Sequence, residues 1–244
     1  MNKDTAYITD RGPDLARALQ RAGRWDEALA ALPAGQRALR AEILTDRFWW
    51  RLDDPAEAEA AIAELAAEDR VLAGFYGGQL AYIRLLGGMY QAFGGSGPPR
   101  PRAGDHDLAL EGFTAAVRDR RLAGWGAFWR GVLADLIEHD PGTAASSYAR
   151  ALALAGEHDD PLLESYAVRH QAGHLMDAGE RERGLSLLHR SYYLRAALGA
   201  RPQTAAAAVT LADALGPGEQ TRQLRETAAI TARELRLTWL LTEF

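Results

Sequence analysis

Apolar residues recur at helical intervals along most of the chain, and the pattern is clearest between residues 161 and 198. Two apolar runs with steps of three and four positions fill this segment, and Ala178-Gly179-Glu180 separates them. Such steps are typical of a helix with one buried face, and a glycine between two runs marks the end of the first helix. The pattern therefore predicts two antiparallel helices joined by a tight turn.

The same plan of two helical runs around a turn repeats along the sequence. Residues 13–32 predict the first hairpin, because Pro13 suits a first helical turn and Gly23 breaks the run. The other predicted pairs are 35–50 with 54–67, 70–93 with 107–119, 121–138 with 142–155, and 203–215 with 218–243. Second helices thus begin roughly 30–38 residues apart, the period of helical repeats, except at an irregular glycine-rich insertion over 93–106. We therefore expect about six hairpins in a single domain that spans residues 1–244.

The segment 70–93 differs from the others because it is apolar on nearly every face. A helix of this kind is normally buried, and its glycines suggest that another backbone packs close against it. Gln79 and Arg84 are polar residues within this helix, and buried polar groups need partners. We expect Asp46 or Asp135 to supply a carboxylate partner, or Arg84 to anchor a ligand.

Composition strengthens the prediction of an all-α protein and removes several classes of function. Ala, Leu, Arg and Glu dominate, whereas strand-forming residues are sparse. The net charge is −5 and no basic cluster is present, so nucleic-acid binding is not expected. Lys3 is the only lysine and cysteine is absent, which argues against Schiff-base and thiol chemistry, and no cofactor is predicted. No apolar run of about 18 residues occurs, so we expect a cytoplasmic protein without a membrane segment.

Two of the predicted hairpins carry small and large apolar residues at matching offsets. These residues are Leu15, Ala16, Leu19, Gly23 and Ala28 in the first, and Val168, Gln171, Ala172, Leu175, Gly179, Gly184, Leu188 and Ala196 in the fifth, where Gln171 and Gly184 depart from the leucine and alanine of the pattern. The arrangement resembles the tetratricopeptide repeat, whose pattern begins W-x2-L-G-x2-Y. The resemblance implies a right-handed superhelix of antiparallel helical hairpins, with the first helices along a concave face. It implies a binding scaffold but no particular chemistry.

Concave-face positions of that family correspond in the fifth hairpin to Tyr166, Arg169, Gly173 and Asp177, and His170 lies beside them. In such an arrangement Arg169 could clamp an anion, while Tyr166 or His170 could donate or accept a proton. The alternative is that Arg169 forms surface ion pairs and His170 fills a repeat interface.

His170 and His174 also stand four positions apart, which is the spacing of a zinc-binding pair on one helix. The zinc-protease motif HExxH needs a glutamate directly after the first histidine, and Gln171 occupies that position. Histidines on a helix face are more often packed or solvated, so no metal site is predicted.

A second candidate lies in the second predicted hairpin, where Glu42, Asp46 and Trp49 share one helix face. Two carboxylates beside an indole could bind an amine-bearing ligand, or Asp46 could act as a general base. The alternative is a solvated face. A superhelix this short can also close its concave side into a cavity, which Trp49, Trp129 and Tyr82 would then line.

Three hypotheses of function follow from these patterns. The first is a concave pocket for a small polar or anionic ligand, for example in specialised metabolism. The second is a cofactor-independent acid–base enzyme that performs elimination, cyclisation, isomerisation or hydrolysis in that pocket. The third is a scaffold for a protein or peptide partner. The predicted catalytic residues are Tyr166, His170 and Asp46, and the predicted substrate-binding residues are Arg169, Arg84, Trp49, Trp129, Tyr82 and Gln79.

The run from Leu235 to Phe244 is strongly apolar. We expect it to cap the last repeat, or to dock a second copy of the chain or another partner protein.

Overall fold

The structure is a computed structural model that describes the backbone of residues 3–87 and 100–243, and the side chains of residues 12–87 and 100–241. Every regular element in these residues is helical, which confirms the all-α prediction. None of the described helices is both long enough and apolar enough to cross a membrane.

The described residues form twelve α-helices and a final 3₁₀ turn. In chain order they are α1 (Lys3–Arg21), α2 (Trp25–Ala30), α3 (Arg37–Arg51), α4 (Ala56–Leu65), α5 (Arg70–Leu85), α6 (Asp105–Arg118), α7 (Ala123–Leu136), α8 (Pro141–Glu157), α9 (Pro161–Asp177), α10 (Arg181–Ala197), α11 (Arg201–Leu215), α12 (Glu219–Leu235) and the 3₁₀ helix Thr238–Glu243.

Neighbouring helices pack as pairs along the chain. Helix α1 contacts α2, α3 contacts α4, α5 contacts α6, and the pairing continues through α7 with α8, α9 with α10, and α11 with α12. Each later pair also contacts the pair before it, through α6 with α7, α8 with α9, and α10 with α11. This packing is the kind expected of a helical repeat.

Local chemistry explains where the helices of the best-defined pairs begin. The side chains of Asp140 and Asp160 precede α8 and α9 and accept hydrogen bonds from the backbone N–H groups of Thr143 and Leu163, respectively. A proline follows each aspartate at the first helical position, where its missing N–H costs nothing. These caps fix the start of α9, the helix that carries most of the predicted site.

The glycines of α5 bring it close to α6, as the sequence predicted. A Cβ placed on Gly112 of α6 would lie 2.3 Å from the carbonyl oxygen of Gly74, so only glycine fits there. A Cβ on Gly78 would lie 3.1 Å from Cε1 of Phe113. The close approach of two backbones compensates for the low helix propensity of glycine in α5.

Several predicted helix ends were wrong. Helix α1 begins at Lys3, so Pro13 lies inside it and removes one backbone hydrogen bond instead of opening the helix. The last predicted helix stops at Leu235, because Arg236 takes a left-handed conformation with φ 62°. Of the predicted insertion over 93–106, residues 93–99 lie outside the described residues, and Asp105 already begins α6.

The last helices contact the first ones. The indole Nε1 of Trp239 donates a hydrogen bond to the carbonyl oxygen of Trp50 at 2.9 Å, and the two rings stack with centroids 6.0 Å apart. A Cβ on Gly23 would lie 2.6 Å from Cδ1 of Leu235. The side chain of Leu240 is also buried in the same cluster as the first hairpin. Residues Trp239 and Leu240 of the apolar run after Leu235 therefore pack against the first helices of the same chain.

Candidate functional site

Two of the cavities among the described helices are lined by predicted site residues. The first, which we call the aromatic cavity, has a volume of about 250 Å³. Its walls include Trp49, Tyr82, Phe128, Trp129, Tyr166 and Trp239, with the polar side chains of Arg169, His170 and Arg195. The second, which we call the acidic cavity, has a volume of about 320 Å³ and is lined by Glu42, Asp46, Tyr76, Gln79 and Gln203, among others. Trp49, Trp129 and Tyr166 line both cavities.

Aromatic rings from three helices hold each other in place along the first cavity. Trp49 of α3 stacks on Tyr82 of α5 with centroids 6.1 Å apart and meets Trp129 of α7 edge-on at 5.1 Å. Tyr82 and Trp129 also make an edge contact at 5.6 Å. Such offset and edge-on contacts are favourable beyond the area that they bury, so this wall is rigid.

Arg195 of α10 is a buried cation on the wall of the aromatic cavity, with 2% of its surface exposed. Its guanidinium donates to Ser165 Oγ at 3.2 Å and to the backbone oxygen of Gln203 at 3.1 Å, and its Cζ lies 4.4 Å above the ring of Tyr166. No described carboxylate forms an ion pair with it. Burial lowers the pKa of Arg195 to about 10, so it stays charged at neutral pH.

Arg169 of α9 supplies a second guanidinium to the same cavity. It is half-buried, and its Nη2 donates to Thr210 Oγ1 at 3.3 Å. Both arginines line this cavity, and the charge of Arg169 adds to the lowering of the pKa of Arg195 that burial causes. Two neighbouring cations in a partly closed space create a positive potential at this end of the cavity.

His170 lies beside these arginines and is held by groups from α7 and α8. The hydroxyl of Tyr148 lies 2.9 Å from Asp135 Oδ2 and 3.1 Å from His170 Nδ1, while His174 Nε2 lies 3.2 Å from Asp135 Oδ1. His170 Nδ1 itself lies 3.7 Å from Asp135 Oδ2. This interaction with His170, more than those with His174 and Tyr148, holds the pKa of the Asp135 carboxyl below its usual range. Burial lowers the pKa of His170 to about 4, so its ring is neutral at pH 7.

The hydrogen-bond chain assigns the tautomer of His170. The ionised Asp135 can only accept, so Tyr148 donates its single proton to that carboxylate. The hydroxyl oxygen of Tyr148 then accepts from His170, which places the ring proton on Nδ1. The other ring nitrogen, Nε2, keeps a lone pair and makes no hydrogen bond to any described residue.

Asp46 lies in the acidic cavity rather than beside His170. Its carboxylate accepts hydrogen bonds from the indole Nε1 groups of Trp25 at 2.7 Å and Trp50 at 3.1 Å. Burial raises the pKa of Asp46 to about 7, and the nearby charge of Glu42 adds to the increase. Burial also raises the pKa of Glu42, one turn earlier on α3. Two carboxyl groups whose pKa values are both raised by burial thus lie one turn apart on α3.

Most of the predicted site residues lie around these two cavities. The aromatic cavity brings together Tyr166, Arg169, His170, Trp49, Trp129 and Tyr82, whereas Asp46 and Gln79 line the acidic cavity. The three predicted catalytic side chains are therefore divided between two spaces, and only Tyr166 borders both. Gly173 and Asp177, the other two predicted concave-face positions, are exposed.

Arg84 lines neither described cavity, and its predicted partner was wrong. It is 5% exposed and forms a two-pronged ion pair with Asp105, with Nη2 2.6 Å from Oδ1 and Nε 3.0 Å from Oδ2. Asp105, which is 3% exposed, also accepts from the backbone N–H of Arg102 at 2.7 Å. The antiparallel pairing of α5 and α6 places the end of one helix beside the start of the other, so Asp105 and not Asp46 or Asp135 neutralises this arginine.

Sequence reasoning missed Arg195, the most deeply buried cation of the aromatic cavity. A signal was present, because Leu188, Ser191 and Arg195 follow at steps of three and four and all three are buried. A charged residue on the buried stripe of a helix is a candidate functional group. The roles of Asp135 and Tyr148 toward His170 were also missed, since they come from other helices.

The residues described offer no group of three or more His, Asp or Glu side chains placed to hold a metal ion. Comparison with protein-family models, with curated proteins and with solved structures finds no match to the chain. The resemblance to tetratricopeptide repeats therefore stays a prediction from the sequence.

Proposed function

We propose that the protein binds a small organic anion with an apolar, ring-shaped body in the aromatic cavity. The observation that carries the proposal is Arg195, a buried cation that faces the cavity without a described carboxylate partner. We further propose that the cavity belongs to the concave side of a right-handed, tetratricopeptide-like superhelix. The contact of Trp239 with Trp50 supports this arrangement, because it joins the last helices to the first ones.

The energetics of Arg195 support a ligand role. Burial of an unpaired guanidinium costs several kcal/mol, and hydrogen bonds to neutral oxygens offset only part of that cost. An incoming carboxylate or similar anion would supply the missing charge and could accept two parallel N–H bonds. Arg169, on the preceding helix α9, would add a second contact to the same anion.

The size and walls of the cavity indicate the body of the ligand. An engineered apolar cavity of about 150 Å³ holds benzene, so the 250 Å³ here suits a two-ring compound. Trp49, Trp129 and Phe128 provide flat apolar surfaces against which such rings pack. The expected class of ligand is thus an aromatic or alicyclic carboxylate.

The proposal is tested with 2-naphthoate as the probe and 2-naphthylmethanol as its uncharged analogue, each titrated by calorimetry. We expect naphthoate to bind at least tenfold more tightly than the alcohol. Arg195→Met should abolish this preference, whereas Arg190→Met should keep it, because Arg190 is an exposed residue of the same helix that pairs with Glu164. Equal binding of both probes, or an unchanged preference in Arg195→Met, would refute the proposal.

A second candidate function, a cofactor-independent acid–base enzyme, is supported by the chain of Asp135, Tyr148 and His170. This hydrogen-bond chain leaves Nε2 of His170 as an acceptor. The two arginines that would hold an anionic substrate line the same cavity. Proton removal next to the anion, as in an isomerisation or elimination, is the chemistry that this arrangement permits.

The enzymatic candidate is tested by mass spectrometry on a panel of two-ring carboxylic acids incubated with the protein in deuterated water. His170→Asn and Tyr148→Phe are the variants, since both interrupt the chain to Asp135 while leaving the arginines in place. We expect deuterium uptake or loss of water with the wild type alone. Absence of both in every acid that binds rejects the catalytic function and leaves the binding function standing.

A further inference from the structure

The acidic cavity is a second space with chemistry opposite to that of the aromatic cavity. Helix α3 supplies Glu42 and Asp46, helix α5 supplies Tyr76 and Gln79, and α11 supplies Gln203. The indoles of Trp49, Trp125 and Trp129 form its apolar walls. The anion site proposed above uses none of these polar groups.

Asp46 is fixed in position but not neutralised. Its side-chain donors, the indoles of Trp25 and Trp50 and the amide of Gln20, are all uncharged, and no described arginine forms an ion pair with it. Each carboxylate oxygen can accept about two hydrogen bonds, so capacity remains for a further donor. A buried carboxylate of this kind costs free energy that a bound cation would recover.

Gln203 is an independent sign that a group is missing from this cavity. Its side chain is 5% exposed, faces the hydroxyl of Tyr166, and leaves its Oε1 buried without a hydrogen-bond partner. If the amide is turned, Oε1 meets Tyr166 and the amide nitrogen is left over instead, so one polar atom lacks a protein partner in either orientation. Buried polar atoms are rarely left unsatisfied, which points to a ligand with a polar group at this position.

The cations near this cavity are at its edge. Arg17 and Arg21 of α1 also line it, but both side chains are exposed. Arg17 lowers the pKa of Glu42, although burial raises that pKa by more. An exposed guanidinium is solvated and screened, so it leaves the inner carboxylate without a close counter-ion.

We propose that the acidic cavity binds a primary ammonium ion carried on an aromatic body. An ammonium group has three N–H donors and no acceptor, which suits the acceptors offered by Glu42, Asp46 and Gln203. The indole faces around them add favourable cation–π contact. At 320 Å³ the cavity also suits a two-ring amine.

The test uses 2-naphthylmethylamine as the probe and 2-naphthylmethanol as its uncharged analogue, with dissociation constants measured by calorimetry at pH 8. We expect the amine to bind at least tenfold more tightly than the alcohol. Glu42→Gln and Asp46→Asn should each weaken amine binding at least tenfold. Asp53→Asn, which removes one exposed carboxylate just after α3, is the matched control and should bind as the wild type does.

A measurement on the unmodified protein covers the case in which Asp46→Asn fails to fold. Charged and titratable groups facing Asp46 are Glu42, Arg17, Tyr76 and Tyr166. Glu42 is the other carboxyl among them, and its charge raises the pKa of Asp46, so the two groups titrate as a coupled pair. With a pKa of about 7 for Asp46, the affinity for the amine should rise about tenfold from pH 6 to pH 8.

The outcomes separate this proposal from the anion site. Preference for the amine over the alcohol, with its loss in Glu42→Gln or Asp46→Asn and its increase with pH, supports the acidic cavity as an amine site. No preference for the amine, or a preference unchanged by both substitutions, overturns it. Arg195→Met tests only the naphthoate site and should not weaken amine binding, so either proposal can fail alone.

Discussion

Two buried arginines with opposite surroundings allow a quantitative test of which one serves the fold. Arg84 is paired with buried Asp105, whereas Arg195 contacts only neutral oxygens and the ring of Tyr166 among the described residues. We compare Arg84→Met with Arg195→Met, because methionine preserves much of the apolar stem and removes the charge in both cases.

The structure gives the expected size of each effect. Arg84→Met leaves the Asp105 carboxylate buried without its partner, which costs about 3–5 kcal/mol of unfolding free energy. In Arg195→Met, the pKa decrease from 12.5 to about 10 corresponds to relief of about 3 kcal/mol of unfavourable charge burial. Loss of three hydrogen bonds, one of them long at 3.5 Å, and of one cation–π contact costs about the same. The stability of Arg195→Met should therefore lie within about 1 kcal/mol of the wild type.

The assay is urea unfolding followed by far-ultraviolet circular dichroism, with and without 2-naphthoate at about 100 times its dissociation constant. The wild type should gain about 2.7 kcal/mol from the probe, and Arg195→Met should gain nothing. A loss of stability in Arg195→Met as large as that in Arg84→Met would show that Arg195 serves the fold, and the argument for an anion site would fail.

The remaining predictions concern packing and pH. Gly112→Ala should destabilise the protein by about 1–3 kcal/mol, because the added Cβ meets the carbonyl oxygen of Gly74. Gly173→Ala, whose Cβ would meet nothing within 4 Å inside α9, should stabilise it by about 0.5–1 kcal/mol. His170 has a folded pKa of about 4, below the usual histidine pKa of 6.5, so the unfolded chain binds more protons between these pH values. Stability should therefore decrease by about 3 kcal/mol as the pH falls from 6.5 to 4, and His170→Gln should lose less over the same range.

Urea unfolding midpoints at fixed pH decide the two glycine predictions, and a loss of stability in Gly173→Ala equal to that in Gly112→Ala would contradict the packing argument. The pH prediction is measured by the same unfolding at half-unit steps. Asp135, whose folded pKa is depressed, loses its own contribution only below the usual aspartate pKa of 3.8, which lies under this pH range. An unchanged slope in His170→Gln would therefore assign the whole acid sensitivity to other groups.

The sequence was sufficient for the parts of the fold that local chemistry determines. Asp160 followed by Pro161 starts α9, and Gly179 with φ +80° ends the turn after it, so this hairpin was predicted within a residue or two. The start of α1 and the end of α12 were not predicted correctly, because local signals do not fix those ends. Pro13 is tolerated inside a helix, and Arg236 adopts a conformation that its residue type does not suggest.

In the candidate site too, some residues could be predicted from local spacing and others could not. Tyr166, Arg169 and His170 were found because spacing on one helix brings them to one face. Arg195 needs the packing of α9, α10 and α11, since its neutral partners come from Ser165 and Gln203 on two other helices. No rule of spacing within one helix could predict that this arginine would be buried without a carboxylate.

Tyr166 lines both cavities and would separate the proposed anion site from the proposed amine site. Its ring faces Arg195 in the aromatic cavity, and its hydroxyl faces Gln203 in the acidic cavity. Burial raises its pKa to about 12, so it stays neutral at physiological pH and can donate a proton in a hydrogen bond but cannot serve as a base. If both proposals hold, a neutral side chain between the cavities would separate Arg195 from the carboxylates of Glu42 and Asp46. If Tyr166 is replaced by phenylalanine, both probes should still bind; if it is replaced by alanine, Arg195 gains a path toward Asp46, and the affinities for naphthoate and for naphthylmethylamine should fall together.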